Sequence, residues 1–303
     1  MTSHTGTLSK GIIAAVAAAF FLSCLNLFSK ILVEDVDPAM VTFWRNLFAL
    51  FSLCLFIIVT RQTILFKTRR PWAHLMRGCV GTIGMILGVW MFSLLPITEG
   101  TVIGFTTPLF IILLSYPLLK EKVGIYRITA TLIGFIGILI MVGFNGSEAL
   151  TIKSLSVGIG FALCNALVLI MLRQLGKTEH ALTTVFYFMV TGLIMTGVYM
   201  PFSEKAIPDI SMWWVVIALG IVGTLSLIFK TESYRHADAS VIAPIAYTML
   251  IWSAIFDYLI WNYTAGANIW IGATIIIASN MIIIWREQKL SNQSNRDGSH
   301  PSV

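Results

Sequence analysis

Ten stretches of this chain are apolar and about as long as a membrane is thick, roughly 20 residues each. They run approximately over 11–33, 39–59, 74–95, 98–119, 124–144, 155–175, 181–201, 212–235, 239–261 and 267–285. The breaks between them are short and polar, such as Asp35-Val-Asp-Pro38, Arg69-Arg-Pro71, Lys120-Glu-Lys122 and Pro208-Asp209. Lipid has no water to answer backbone N–H and C=O groups, so stretches of this length must be helices, not open strands. Composition agrees: 11% of residues are charged, against roughly 25% in soluble domains, whose surfaces need charge for solvation. The expected fold is an all-α integral membrane protein of ten transmembrane helices, with the lipid bilayer as its solvent.

The net charge of +6 does not point to nucleic acid, because the basic residues are scattered over short loops between apolar runs. They act instead as a topology signal. With the N-terminus inside, sixteen of the twenty Lys and Arg residues fall on the cytoplasmic side, leaving Lys30, Arg45, Lys153 and Lys205 outside. An error of one span would destroy this asymmetry. Both termini are therefore expected in the cytoplasm, in a multi-pass protein of the inner (plasma) membrane. Gly11 to Val33 exceeds the roughly 7–15 residues of a signal-peptide core and reads as a first span. Cys24, Cys54, Cys79 and Cys164 all lie in apolar runs, without metal-like spacing, and read as packing residues.

The two halves repeat. A shift of 143 residues pairs Lys30 with Arg173, Phe43 with Phe186 and Trp44 with Tyr187. A shift of 139 pairs Gly81-Thr-Ile-Gly84 with Gly220-Ile-Val-Gly223, Glu99 with Asp238, and Thr101-Val-Ile103 with Ser240-Val-Ile242. Five spans duplicated give a second copy of opposite polarity. Such inverted-topology repeats recur in secondary transporters, where they supply two similar states facing opposite sides. The expected organisation is a first five-helix repeat (1–144), a short outer loop (145–154), a second repeat (155–285) and a cytoplasmic tail (286–303).

The chain resembles the EamA-type members of the drug/metabolite transporter superfamily over essentially its whole length. The resemblance rests on Pro38 through Arg45, on Arg77-Gly78, and on Leu95-Pro-Ile-Thr-Glu-Gly-Thr-Val-Ile103 running to Pro108. Pro117-Leu-Leu-Lys-Glu121 and Ile133-Gly134-Phe-Ile-Gly137 are similar to two further family signatures. Ala237-Asp-Ala-Ser-Val-Ile-Ala-Pro244 with Tyr247 looks most like the branch of S-adenosylmethionine uptake carriers. One departure is Asn262-Tyr263, where many members carry a Gly-Glu or Asn-Glu pair. The resemblance implies ten helices, a central cavity between the halves, and alternating-access transport of small organic metabolites without ATP hydrolysis. Amino-acid-like, nucleoside-like and S-adenosylmethionine-like solutes are the candidates, with protons a candidate coupling ion and export by the same fold the alternative.

Placing a charge at a helix centre costs about 2.5–3.5 kcal/mol on insertion scales, so Lys30, Arg45, Glu99 and Asp257 stand out. Lys30 either snorkels to the interface or joins a charge network with Glu99 and Asp257. Arg45 pairs with one of those carboxylates, contacts substrate, or snorkels. Glu99 and Asp238 sit where an acid caps a helix start. Asn26, Arg45, Trp90, Asn165, Tyr187, Tyr247 and Trp252 are the candidate substrate-binding residues. The amides otherwise bond neighbouring helices, and the aromatics otherwise pack. Trp90, Tyr247, Trp252, Asn26 and Asn165 are expected to line a cavity walled chiefly by spans one, three and four with six, eight and nine. Pro108, Pro117 and Pro244 interrupt backbone bonding within spans. A membrane-embedded enzyme is the rival from another class, but no HExxH, GxSxG or paired-Asp set is present. The chain is read as no enzyme, with no cofactor and no metal.

Overall fold

The computed structural model describes residues 2–60, 68–119, 125–142, 150–176, 178–236 and 239–296. Among them are twelve α-helices and no strand: α1 (Thr2–Val33), α2 (Pro38–Thr60), α3 (Pro71–Leu94), α4 (Ile97–Gly104), α5 (Thr107–Leu119), α6 (Ile125–Val142), α7 (Ile152–Leu175), α8 (Ala181–Tyr199), α9 (Trp213–His236), α10 (Ala239–Ala246), α11 (Met249–Trp261) and α12 (Ala267–Arg296). Eight stretches of the described residues are long and apolar enough to cross a membrane. They comprise α1, α3, the α4–α5 pair, α7, α8, α9, the α10–α11 pair and α12. The apolar stretch of α6, Ile128–Met141, is shorter. Large apolar side chains such as Phe51, Leu132, Leu139, Ile194 and Leu259 lie on the outside of the bundle, where only lipid makes their exposure favourable.

Local chemistry sets the helix ends. Thr151 and Ser154 form a capping box, each side-chain oxygen accepting from the other's backbone N–H (3.2 and 2.9 Å), which answers two orphan donors of α7. α11 stops at Asn262, which adopts the left-handed conformation (φ 51°) that Asn tolerates better than most residues.

Two of the expected spans are each broken into two helices. The fourth breaks at Phe105-Thr106 and the ninth at Tyr247-Thr248. Pro108 and Pro244 stand near these points, and neither can donate to the preceding turn. Both breaks are bridged alike: the Thr106 hydroxyl donates to the Ile103 carbonyl (2.6 Å) and the Thr248 hydroxyl to that of Ile245 (2.7 Å). Asn280 of α12 donates to the Phe105 carbonyl (2.8 Å), replacing a bond that helix interruption removes. Pro117 lies within α5, which continues through it.

The main packing partners lie across the two halves: α1 on α9, α3 on α7, α2 on α8, α4 on α11 and α6 on α12. The last pair crosses closely. A Cβ added at Gly272 would stand 2.6 Å from the Gly137 carbonyl oxygen and 2.9 Å from the Met141 Cβ. Backbone cannot yield as a side chain does. Gly272→Val is therefore expected to lower stability by at least roughly 1–3 kcal/mol and to deplete the folded fraction. Gly223→Ala, whose new methyl would meet Leu25 at an ordinary 3.5 Å, should be tolerated. Thermal unfolding of the detergent-solubilised variants checks this; equal melting temperatures for the two would refute the close crossing.

Candidate functional site

A cavity of about 390 Å³ lies inside the bundle, within the size range of small-molecule sites. α1 contributes Leu22, Leu25, Asn26 and Ser29; α2 contributes Arg45; α3 contributes Arg77, Met85, Val89 and Phe92; and α4 contributes Thr101. The other half supplies Phe161, Asn165 and Val168 from α7, Phe188 from α8 and Met249 from α11. Both halves thus share the walls. Gly81 and Gly88 on α3 let aromatic rings of the second half come in close: a Cβ at Gly81 would meet Phe188 at 2.7 Å, and one at Gly88 would meet Phe161 at 2.9 Å.

Behind the wall, a chain of hydroxyls joins three helices. Ser253 of α11 lies 3.0 Å from both Ser23 of α1 and Thr101 of α4. Ser23 also donates to the Met249 carbonyl (3.2 Å). Each hydroxyl would lose water in an apolar bundle, and each recovers a partner here.

One end of the bundle is tied across the halves. Asp257, 1% exposed, accepts from the Ile97 N–H (2.9 Å), the Thr98 N–H (2.7 Å) and the Thr98 hydroxyl (2.7 Å). An α11 carboxylate thereby holds the N-terminus of α4, where orphan donors and the helix dipole favour negative charge. The Tyr263 hydroxyl donates to Glu99 in the first turn of α4. Burial, followed by the Glu99 and Asp257 carboxylates, raises the Tyr263 phenol above its ordinary value, so it stays protonated as the donor. Lys30 donates to the Leu95 carbonyl (2.7 Å) and stands over the Trp261 ring (4.8 Å). The same end holds Ser203 donating to Asp37, Asp209 N–H to Asp35 (2.9 Å), and Trp44 to the Ala206 carbonyl (3.0 Å). At the opposite end Glu179 accepts from the Arg69 N–H (3.1 Å) and lies 3.5 Å from His74.

These contacts revise several expectations. Lys30, Glu99 and Asp257 do gather on one segment, Leu95 to Glu99, but they engage backbone groups and a phenol in addition to the field of one another. Arg45 has no ion pair with a described carboxylate; it lines the cavity together with Asn26 and Asn165. The four candidate aromatics do not line it. Trp90 is on the outer surface of α3 beside the Lys153 ammonium (5.7 Å), and Tyr187 stacks on His74 (5.0 Å). Trp252 packs edge-on against Phe20 (5.0 Å). Tyr247 packs against Phe105 (4.8 Å), which itself lines the cavity, so the two helix breaks touch there. α8, in the expected seventh span, reaches the cavity through Phe188, whereas α9 supplies no lining residue among those described. Asp238 lies outside the described residues. Arg77, Phe105, Phe161 and Phe188 were not anticipated. Arg77 carried a legible signal: it is the seventh residue of α3, almost as deep as Arg45, the eighth of α2.

This arrangement defines a multi-span helical membrane protein with a cavity shared by two halves. The EamA-like transporter family model matches the chain twice, over residues 9–143 and 152–285. The protein belongs to that family. It is 29% identical over 270 residues to an S-adenosylmethionine uptake transporter of Rickettsia prowazekii, covering 87% of this chain and 88% of that one. It is 30% identical over 244 residues to a riboflavin transporter of Vibrio cholerae, covering 78% of each chain. A pseudopaline exporter of Pseudomonas aeruginosa is 22% identical, with coverage of 90% and 95%. A crystal structure superposes with a TM-score of 0.62 over 90% of this chain and 96% of its own at 16% identity, a likeness of fold.

Removing Asp257 leaves three buried donors of α4 unanswered. Asp257→Ala is expected to cost on the order of 3 kcal/mol, and Asp257→Asn, which keeps one acceptor oxygen, less. A melting temperature unchanged in Asp257→Ala would contradict this bonding.

Proposed function

We propose that the protein is a secondary transporter that carries small organic metabolites across the inner membrane by alternating access. It has ten spans, in two inverted five-helix repeats over 1–144 and 155–285, with both termini in the cytoplasm. The observation that carries this reading is a cavity walled by both halves. The packing supports the repeat, because its main contacts correspond when the halves are exchanged. α1 on α9 corresponds to α7 on α3, α5 on α7 to α11 on α1, and α2 on α8 and α6 on α12 each to itself. A half-turn about an axis in the membrane plane has this property, and two like halves of opposite polarity give two states of similar energy.

In the proposed orientation the tied end faces outward, and the form described is closed there. The helix of α11 that carries Asp257 must part from α4 for the outer side to open. The equivalent of Asp257 under the 139-residue shift is Leu118, so the cytoplasmic side lacks the same carboxylate clamp. The two closed states are therefore held by different chemistry, although the repeat relates their backbones.

Thr101 and Ser253 meet across the halves at 3.0 Å between hydroxyl oxygens. In a background with the four native cysteines replaced by serine, Thr101→Cys with Ser253→Cys is expected to form a disulfide that stops uptake in proteoliposomes. Reductant should restore it, and uptake by each single variant, which cannot form the cross-link, should be insensitive to oxidant and reductant. Full activity with the disulfide complete would refute alternating access between α4 and α11. Topology is tested separately: a reporter fused after Val303 is expected to be active only when it matures in the cytoplasm, and activity confined to the periplasm would invert the orientation.

A further inference from the structure

The cavity is electrically one-sided. Arg45 and Arg77 both line it, and no described Asp or Glu does. Neither arginine takes part in an ion pair or hydrogen bond among the described residues. Arg77 is the sharper case. It is 7% exposed, and its Nε and Nη1 have no hydrogen-bond partner. Its guanidinium lies 4.1 Å from the centroid of the Phe188 ring, and that ring is held against Gly81. That contact leaves the Nε and Nη1 donors of Arg77 unspent. A buried cation without a counter-charge is costly, and an ionisable group in a membrane interior marks a functional site whose partner should be named. No described side chain is that partner.

We propose that the transported solute supplies it: the substrate carries a carboxylate, and the Arg77 guanidinium is its receptor, with Arg45 as the second cation of the site. This rests on the transport reading and names its substrate class. Guanidinium donors match a carboxylate in geometry and charge. The remaining wall favours a monoanion over a dianion such as phosphate, because Phe105 and Phe161 are apolar and Asn165 contributes only a neutral amide. Stripping water from two negative charges would need more donors than these walls offer. The same rings provide a surface for an apolar or aromatic body. A solute with one carboxylate and an apolar or aromatic body fits this description, and a neutral isoalloxazine does not.

The test compares probes that differ only at the carboxylate, by thermal stabilisation of the purified full chain in detergent. The pairs are S-adenosylmethionine against its decarboxylated form, and L-methionine against L-methioninamide, with riboflavin and inorganic phosphate alongside. At least one carboxylate member is expected to raise the melting temperature while its partner does not. Arg77→Gln should weaken that binding roughly tenfold to a hundredfold, and Arg77→Lys should recover part of the loss. Arg77→Gln must melt normally without ligand, and if it does not, Arg45→Gln is measured in its place with the same expectation. Equal stabilisation by both members of each pair, stabilisation by riboflavin or phosphate alone, or no response to any carboxylate would overturn the proposal. The transport reading fails differently. Carboxylate binding intact at Arg77, with no solute moving in proteoliposomes, would sink transport alone, whereas riboflavin uptake without carboxylate binding would sink only the carboxylate assignment.

Discussion

In a bilayer every backbone N–H and C=O must find its partner inside the protein, and this constraint shapes the molecule most where its helices stop. Two spans are broken near the middle, and two helix starts lie in the seam between the halves. The Phe105 carbonyl is met by Asn280, the turns at both breaks are bridged by threonine hydroxyls, and the N-terminus of α4 is met by Asp257. Each solution draws a polar side chain into the centre of the bundle.

The closed end follows from the same logic. A carboxylate on a helix N-terminus satisfies donors that lipid would leave orphaned, and its cost of burial is offset by three hydrogen bonds. Such a contact is strong while formed, yet it joins side chain to backbone at one point, so the two helices can separate without unfolding either. A wide apolar interface could not switch so locally. The hydroxyl chain of Ser23, Ser253 and Thr101 behaves alike, since hydroxyls exchange partners with water at little net cost.

Eight of the expected spans were legible because they depend on composition, which acts through local chemistry. Of the three prolines within spans, Pro108 and Pro244 stand within a turn of a helix interruption, whereas α5 continues through Pro117. Side-chain facing was not legible. Trp90 on α3 lies on the outer surface, and Tyr187 on α8 and Trp252 on α11 pack against other rings. Asp257 stands out in the sequence as a charge within a span, with Arg45 or Lys30 as a partner or a proton or cation as its ligand. Its true partners are backbone N–H groups, which every residue carries and no sequence pattern marks. Arg77 was set aside as a cytoplasmic-end cation because the third span was taken to begin at residue 74. α3 starts at Pro71, which buries Arg77 nearly one turn deeper. The Asn262-Tyr263 departure acquired a physical meaning only from the contact of Tyr263 with Glu99.

The central claim is that one cavity is reached from one side at a time, with the Asp257 contact holding the outer side shut. It is tested most directly by a cysteine at Met85, which lines the cavity, in a background with the native cysteines replaced by serine. Labelling is measured with a membrane-impermeant thiol reagent applied to right-side-out and to inside-out vesicles. The cysteine is expected to react from the cytoplasmic face only while Asp257 is intact, and to become reactive from the outer face in the Asp257→Ala variant. Equal labelling from both faces with Asp257 intact, or no outer labelling after its removal, would contradict the account.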